Sequence, residues 1–264
     1  SLNKNKLYMR RKYFRVIIPT NADQLMALAQ RVLQKHYQDG SNSKIALDVA
    51  NLLQGKLDIA RAEHTRLQEL ERRREKLNEE RNLLLGSNGG PTSYLEGTVR
   101  YIISAARDIL MGKYRGNERA LGDWGFTVNS PKGRVQVIIP RNADELIALA
   151  KNVMQKHYND GSASLLHDLD WDLVSNKLYE AEMKLEEARQ VNRDKEKATQ
   201  ARNIALGIDK GQTSRTPNTV KYIVKSIRDT LLGLFRGREQ ELGDWGFEVN
   251  FNSAGDKEAP EPGA

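Results

Sequence analysis

The chain has 264 residues, a formal net charge of +7 and no cysteine. The absence of cysteine excludes disulfide bonds, thiolate catalysis and cysteine-ligated zinc. Apolar stretches are only a few residues long, far below the roughly 20 residues of a membrane-spanning helix, and no signal-peptide pattern opens the chain. We therefore expect a soluble protein, although the composition does not determine its compartment.

The positive charge is concentrated at the start of the chain. Residues 1–130 carry 22 Lys and Arg against 14 Asp and Glu, whereas residues 131–264 carry 20 against 21. Most of the excess lies in a basic N-terminal arm, residues 1–15, which contains no acidic residue and holds Lys4, Lys6, Arg10, Arg11, Lys12 and Arg15. Cations interleaved with aromatic residues could bind a nucleic acid or an anionic membrane surface. We favour the simpler interpretation, a solvated leader that merges into the first strand.

One sequence recurs along the chain. The motif that begins at Val16 returns at Val137, and the Leu-Gly-Asp-Trp-Gly-Phe motif at Leu121 returns at Leu242, in both cases 121 residues later. A gap-free comparison of residues 16–130 with 137–251 gives 53 identities in 115 positions. We therefore predict a tandem duplication, with a first repeat domain at 16–130 and a second at 131–252, each large enough to bury a core. Residues 253–264 are expected to form a disordered tail.

Each copy is expected to begin with a short strand, such as Val16 to Ile18, followed by a helix. Asn21 and its counterpart Asn142 are the predicted N-caps of these helices. His36 and His157 lie near the predicted helix ends, where positive charge suits the helix dipole. We expect these histidines to be helix-end cations or packing residues rather than ligands.

The second helix of each copy is expected to be long and highly charged. The segments from about residue 47 to 85 and from 169 to 206 contain no proline and many charged residues. A helix of some 38 residues is roughly 57 Å long, so it either projects as a coiled-coil-like stalk or breaks near its middle. The acidic residues at 168, 170 and 172 are interpreted as helix caps, because the glycine and glutamate of a calcium-binding loop are missing.

A third helix is predicted from about Gly97 to Arg115. It carries an Arg-Asp pair at Arg107, and the pair recurs at Arg228 in the second copy. These pairs could bind an anion. The alternative is a structural role, in which each pair bridges to a neighbouring helix or caps a loop carbonyl.

The Gly-Asp-Trp-Gly motif is the most distinctive segment of each copy. Its glycines predict a tight turn, and Trp124 and Trp245 are expected to close the base of each bundle. In an alternative interpretation the two indoles stack on a carbohydrate or another small ligand, while Asp123 and Asp244 accept hydrogen bonds from it.

Two β-like runs flank the segment Asn-Ser-Pro-Lys-Gly between the copies, which is a hairpin signal. The strand that leaves the first copy pairs either with the strand that enters the second copy or with the first strand of its own copy. The predicted fold is therefore mainly α, a duplicated helical bundle with short terminal strands that form a small sheet or hairpin.

Motifs for catalysis are missing from the sequence. It contains no phosphate-binding GxxxxGK[ST] loop, no HExxH and no GxSxG, and its four histidines lack metal-binding spacing. We expect neither an enzyme nor a cofactor or metal. The sequence favours a non-catalytic binding or structural module that mediates protein–protein interaction. The alternatives are nucleic-acid or anionic-surface binding by the basic arm, and carbohydrate or small-ligand binding near the Gly-Asp-Trp-Gly motif.

Overall fold

A computed structural model of the chain describes residues 13–87, 95–129, 135–212 and 215–252. The predicted C-terminal tail lies outside these ranges, and so do residues 1–12 of the predicted arm. The described part is mainly helical, as the sequence predicts. None of its helices is both long and apolar enough to cross a membrane.

The elements follow the predicted order. They are strand β1 (Tyr13–Ile17), helices α1 (Ala22–Asp39), α2 (Leu47–Leu85) and α3 (Val99–Lys113), strands β2 (Thr127–Asn129) and β3 (Gln136–Ile138), helices α4 (Ala143–Asp160), α5 (Trp171–Leu206) and α6 (Val220–Leu234), and strand β4 (Glu248–Asn252). Short 3₁₀ helices at Glu118–Trp124 and Glu239–Trp245 precede β2 and β4.

Two of these elements decide between alternatives that the sequence left open. Helix α2 runs unbroken for 39 residues, so of the two alternatives a break near its middle is wrong. Strand β1 begins at Tyr13, so the last residues of the predicted arm, Arg15 among them, belong to a strand rather than to a leader.

The four strands form two antiparallel pairs. Strand β2 pairs with β3, with Val128 opposite Val137, which is the predicted hairpin between the copies. Strand β1 pairs with β4, with Val16 opposite Val249. The alternative, in which each copy pairs its own first and last strands, is wrong. Because the connection between β2 and β3 is short, their pairing costs little loop-closure entropy. Strands β1 and β4 form the equivalent pair at the two ends of the chain.

Both predicted N-caps are present. The Asn21 side chain accepts hydrogen bonds from the backbone N–H groups of Asp23 (2.9 Å) and Gln24 (3.3 Å). Asn142 does the same for the first turn of α4, at 2.8 Å and 3.3 Å. Because these bonds satisfy N–H groups that have no partner within the helix, α1 and α4 begin at matching positions of the two copies.

The chain forms two compact units that do not coincide with the sequence copies. Unit 1 comprises residues 1–68 and 196–264, and unit 2 comprises residues 69–195. The predicted division at 16–130 and 131–252 describes the repeat, whereas these units describe the packing. They differ because α2 and α5 each begin in one unit and end in the other.

The core of unit 1 joins apolar faces from both copies. Helix α1 and the first half of α2 supply one part, and the end of α5 with α6 supplies the other; the core includes Leu25, Leu28, Val32, Leu53, Leu57, Leu206, Val220, Val224, Leu231 and Trp245. Burial of each such side chain contributes about 1.5–3 kcal/mol. Apolar residues recur at helical spacing because each helix turns one face toward this core.

The core of unit 2 has the matching composition. Helices α3, α4 and the first part of α5 contribute Val99, Ile103, Leu110, Leu146, Leu149, Val153, Val174 and Leu178. The 3₁₀ helix before β2 adds Trp124. Within the same unit α2 and α5 run antiparallel, where Leu77 packs with Ala188 and Val191. An ion pair of 2.8 Å between Glu80 and Lys184 flanks this contact.

Candidate functional site

The tryptophan of each Gly-Asp-Trp-Gly motif belongs to a core. Trp124 and Trp245 are each 1% exposed, in unit 2 and unit 1 respectively. An indole enclosed in this way offers no face for stacking on a sugar, so a carbohydrate could reach it only if the core opened. The geometry therefore favours the structural interpretation, in which the rings close the bundles.

The second glycine of each motif is required by packing. Gly125 and Gly246 have φ angles of 88° and 86°, in the left-handed region that favours glycine. A Cβ atom on Gly125 would lie 2.8 Å from that of Asn152 on α4, and one on Gly246 would lie 2.7 Å from that of Arg31 on α1. The motif thus positions the tryptophan and lets a helix of the other copy approach its backbone.

The aspartate of the motif in unit 2 lies near a lysine of α4. Lys156 forms a 2.7 Å ion pair with Asp160, and its Nζ atom lies 5.7 Å from the ring centre of Trp124. The hydrogen bond to Asp160 raises the pKa of Lys156, and the negative charges of Asp160 and Asp123 act in the same direction. The exposed Asp123 carboxylate therefore faces a cation of its own unit.

Unit 1 repeats this arrangement with Asp244. Lys35 forms a 2.8 Å ion pair with Asp39. That hydrogen bond raises the pKa of Lys35, and the charges of Asp39 and Asp244 add to the effect. In both units the motif aspartate thus contributes to local charge balance beside a helix.

In each predicted Arg-Asp pair, the arginine bonds to the aspartate that follows it in the sequence. Arg107 donates to the adjacent Asp108 at 2.8 Å, and Arg228 donates to Asp229 at 2.7 Å. These contacts join neighbours on one helix, instead of the expected bridge to another helix or to a loop carbonyl. Arg228 also lines a groove of unit 1.

The two helix-end histidines are packing residues. The Nδ1 atom of His36 lies 2.7 Å from the Ser43 hydroxyl, and that of His157 lies 2.7 Å from the Ser164 hydroxyl. His157 also stacks on Trp171, with ring centres 5.2 Å apart. Desolvation lowers the pKa of His157, and the charge of His167 adds to this effect. The environment of His157 therefore favours the neutral ring over the predicted helix-end cation.

A basic groove of about 590 Å³ lies between β1 and α6 in unit 1. Its cations are Arg15, Lys221, Lys225 and Arg228, and its apolar wall includes Phe14, Val16, Ile18 and Leu232. Of the predicted arm cations, Arg15 lies here, while Lys4, Lys6, Arg10, Arg11 and Lys12 lie outside the described residues. Lys221 and Lys225 were not predicted, although their spacing of four residues, with Arg228 three further on, places them on one helix face.

A second groove, of about 410 Å³, lies between α4 and α5 in unit 2. We call it the tyrosine groove; its lining consists of Lys151, Met154, Gln155, Tyr158, Ser175, Leu178, Tyr179 and Glu182. Tyr158 is 55% exposed and Tyr179 is 66% exposed. The sequence did not point to these tyrosines, yet one signal was present, because Tyr179 replaces the charged Asp58 of the first copy.

No set of three or more acidic, histidine or cysteine side chains in the described ranges is arranged to hold a metal ion. Comparisons with known protein families, curated proteins and solved structures found no match for the chain. The two grooves are therefore the observations from which function is inferred.

Proposed function

We propose that the chain is a non-catalytic module, built by tandem duplication of a helical bundle, that mediates protein–protein interaction through the tyrosine groove of unit 2. The observation that carries the proposal is the pair of exposed tyrosines, Tyr158 and Tyr179, on adjoining helices above an apolar floor. Packing of Leu77 against Ala188 and Val191 supports a coiled-coil character for the long helices that join the elements of the module.

The lining of the groove suits an apolar segment of a protein partner. Tyrosine and methionine are enriched at protein interfaces. Tyrosine supplies a large contact area at low entropic cost and adds a hydrogen-bonding hydroxyl. Lys151 and Glu182 form an ion pair with each other at the rim, which leaves the rim close to neutral. A neutral rim around an apolar floor favours an uncharged, apolar peptide surface over a free ion.

The matching surface of unit 1 is polar. Position 179 corresponds to Asp58, whose carboxylate accepts a 2.7 Å hydrogen bond from Gln54. Leu33, which corresponds to the half-buried Met154, is fully buried. The apolar character of the tyrosine groove is therefore not required by the bundle itself. This difference supports a role in recognition for the second unit.

The test compares the full-length chain with two variants. Tyr158→Ala with Tyr179→Ala removes the proposed contact, and Tyr37→Ala removes the matching exposed tyrosine of unit 1 (54% exposed). Each chain is used to capture proteins from cells of the source, and a captured partner is identified, purified and titrated by calorimetry. Circular dichroism confirms that each variant folds.

We expect the purified partner to bind the wild-type chain and Tyr37→Ala equally, and to bind the double variant at least about tenfold more weakly, since interface tyrosines are frequent hot spots. Equal binding by all three chains would contradict the proposal. Self-association that depends on the same tyrosines, seen by sedimentation, would also overturn it in favour of a second copy as the occupant.

A further inference from the structure

We propose that unit 1 carries a separate binding site, the basic groove between β1 and α6, which holds the phosphate backbone of a single-stranded nucleic acid. Its four cations are Arg15 on β1 and Lys221, Lys225 and Arg228 on α6. The inference does not depend on the proposed function of unit 2. It rests on the charge of the groove, its apolar wall and a comparison with the matching positions of unit 2.

The residues that line the groove do not balance its positive charge. Among the described residues that line it, four are cations and none is acidic. Arg228 is partly offset by its neighbour Asp229, which is outside the lining. Along α6, Lys221 and Lys225 are separated by about 6 Å and Lys225 and Arg228 by about 4.5 Å of helix rise. A row of cations with this spacing suits the repeated charges of a polyanion better than one isolated anion.

The apolar wall distinguishes a nucleic acid from a membrane surface. Phe14, Val16 and Leu232 lie in the same groove as the cations. Single-stranded nucleic acids present both phosphates and apolar base faces, and proteins bind them with cationic grooves that contain aromatic side chains. A flat anionic bilayer would contact exposed cations on a convex or planar face, whereas three of these four cations are half-buried inside a concave groove.

The matching surface of unit 2 carries fewer cations. In the matching positions of the other copy, Gln136 stands for Arg15 and Ser104 stands for Lys225. Ser104 donates a 2.8 Å hydrogen bond to the backbone oxygen of Arg100. The same strand and helix arrangement thus forms in unit 2 with two fewer cations.

Unit 2 retains two of the four cations. Arg107 is paired with Asp108, as Arg228 is with Asp229, and Arg100 is engaged in structure. Arg100, which matches Lys221, donates to the backbone oxygens of Pro140 at 2.6 Å and Ile139 at 3.3 Å. A guanidinium held on carbonyl oxygens is less available to an anionic ligand. The comparison therefore places the phosphate-binding capacity in unit 1.

The sequence directly before β1 is also basic. Residues 1–12 contain five cations and no acid, and they precede Arg15 directly along the chain. The proposed site is the groove itself and does not include these residues.

The experiment measures binding of a fluorescently labelled 20-nucleotide single strand, as RNA and as DNA, to the full-length chain by anisotropy at 50 and 200 mM salt. The test variant carries Arg15→Gln, Lys221→Gln and Lys225→Gln. The control variant removes the same charge from exposed cations of unit 2, with Lys113→Gln, Arg119→Gln and Arg141→Gln. Equal thermal unfolding of the two variants shows that both fold.

We expect the wild-type affinity to fall steeply with salt, and the test variant to bind at least about tenfold more weakly. Because each phosphate contact to a single strand contributes about −0.7 to the slope of log affinity against log salt, the slope of the test variant should be shallower by about 2. The control should stay within about twofold of the wild type. Equal weakening in both variants would reduce the effect to net charge and overturn the site.

Two other results would also overturn the inference. One is no binding of either strand to the wild-type chain at 50 mM salt. The other is binding of vesicles that contain anionic lipid, lost in the test variant, without binding of nucleic acid. Tyr158→Ala with Tyr179→Ala should leave nucleic-acid binding unchanged, so failure of this inference is distinguishable from failure of the proposed function.

Discussion

Gly125 approaches helix α4 so closely that a Cβ atom on it would lie 2.8 Å from the Cβ atom of Asn152. Gly246 stands in the same relation to Arg31 on α1. In each case the glycine comes from one sequence copy and the helix residue from the other. The recurrence of the Gly-Asp-Trp-Gly motif thus has a packing explanation, since each motif closes a core that both copies build.

Gly125→Ala is expected to destabilise the protein by about 1–3 kcal/mol, because the left-handed backbone alone costs a residue with a Cβ atom roughly 1–2 kcal/mol and the close approach to Asn152 adds to it. Gly122→Ala is the matched control, since a Cβ atom at that position would meet no heavy atom within 4 Å beyond its own chain neighbours. Urea unfolding of both variants measures the difference. Equal stability of the two would show that the second glycine is not constrained.

Substitutions of Leu53 and Leu52 test which face of α2 is buried. Leu53 is 0% exposed and Leu52 is 44% exposed. Leu53→Ala should cost about 2–5 kcal/mol, because it leaves a cavity in the core of unit 1, whereas Leu52→Ala should change the free energy of unfolding by less than about 0.5 kcal/mol. Chemical denaturation measures both values. A larger loss at Leu52 would mean that the helix presents a different face to the core.

His157 should make the protein less stable in mild acid. Its pKa is lowered in the folded state, chiefly by desolvation, so the unfolded state binds a proton more readily. Its contribution to stability is therefore present above the ordinary histidine pKa of about 6.5 and is lost as the pH falls through the folded value.

An NMR titration of the His157 ring should give a pKa below the ordinary value of about 6.5, and His157→Gln should reduce the loss of stability between about pH 7.5 and 5.5. A ring pKa at or above the ordinary value would contradict the packing described for this residue. The titration observes the ring directly, so it separates His157 from the other histidines of the chain.

Local signals in the sequence were sufficient to predict the elements. Asn21 and Asn142 cap helices as expected, and the proline-free charged segments form the long helices. These features depend on a few neighbouring residues. The prediction of strand β1 was less complete, because Tyr13 and Arg15 also fit a basic leader.

Local signals could not predict which helices and strands pack against each other. The apolar stripes of the two copies are nearly identical, so the stripe of α1 fits α3 of its own copy as well as α6 of the other. In the structure α1 shares a core with α6, and α4 shares a core with α3. The unbroken helices α2 and α5 each begin in one unit and end in the other. The basic groove was missed for the same reason, since Arg15 and Lys221 meet only through this partnership.

The most direct test of the account is whether β1 lies beside β4, because both the core of unit 1 and the basic groove depend on that pairing. The chain lacks cysteine, so introduced cysteines form the only possible disulfide. Val16 faces Val249 in the register, and side chains opposite each other in an antiparallel pair are about 4.5–5.5 Å apart at Cβ. The measurement is the yield of intramolecular disulfide under mild oxidation in Val16→Cys with Val249→Cys, compared with Val16→Cys with Val128→Cys. Pairing of β1 with β4 predicts efficient cross-linking of the first pair and little of the second. Preferential cross-linking of Val16→Cys with Val128→Cys would contradict this pairing, because it would show that each copy folds on itself.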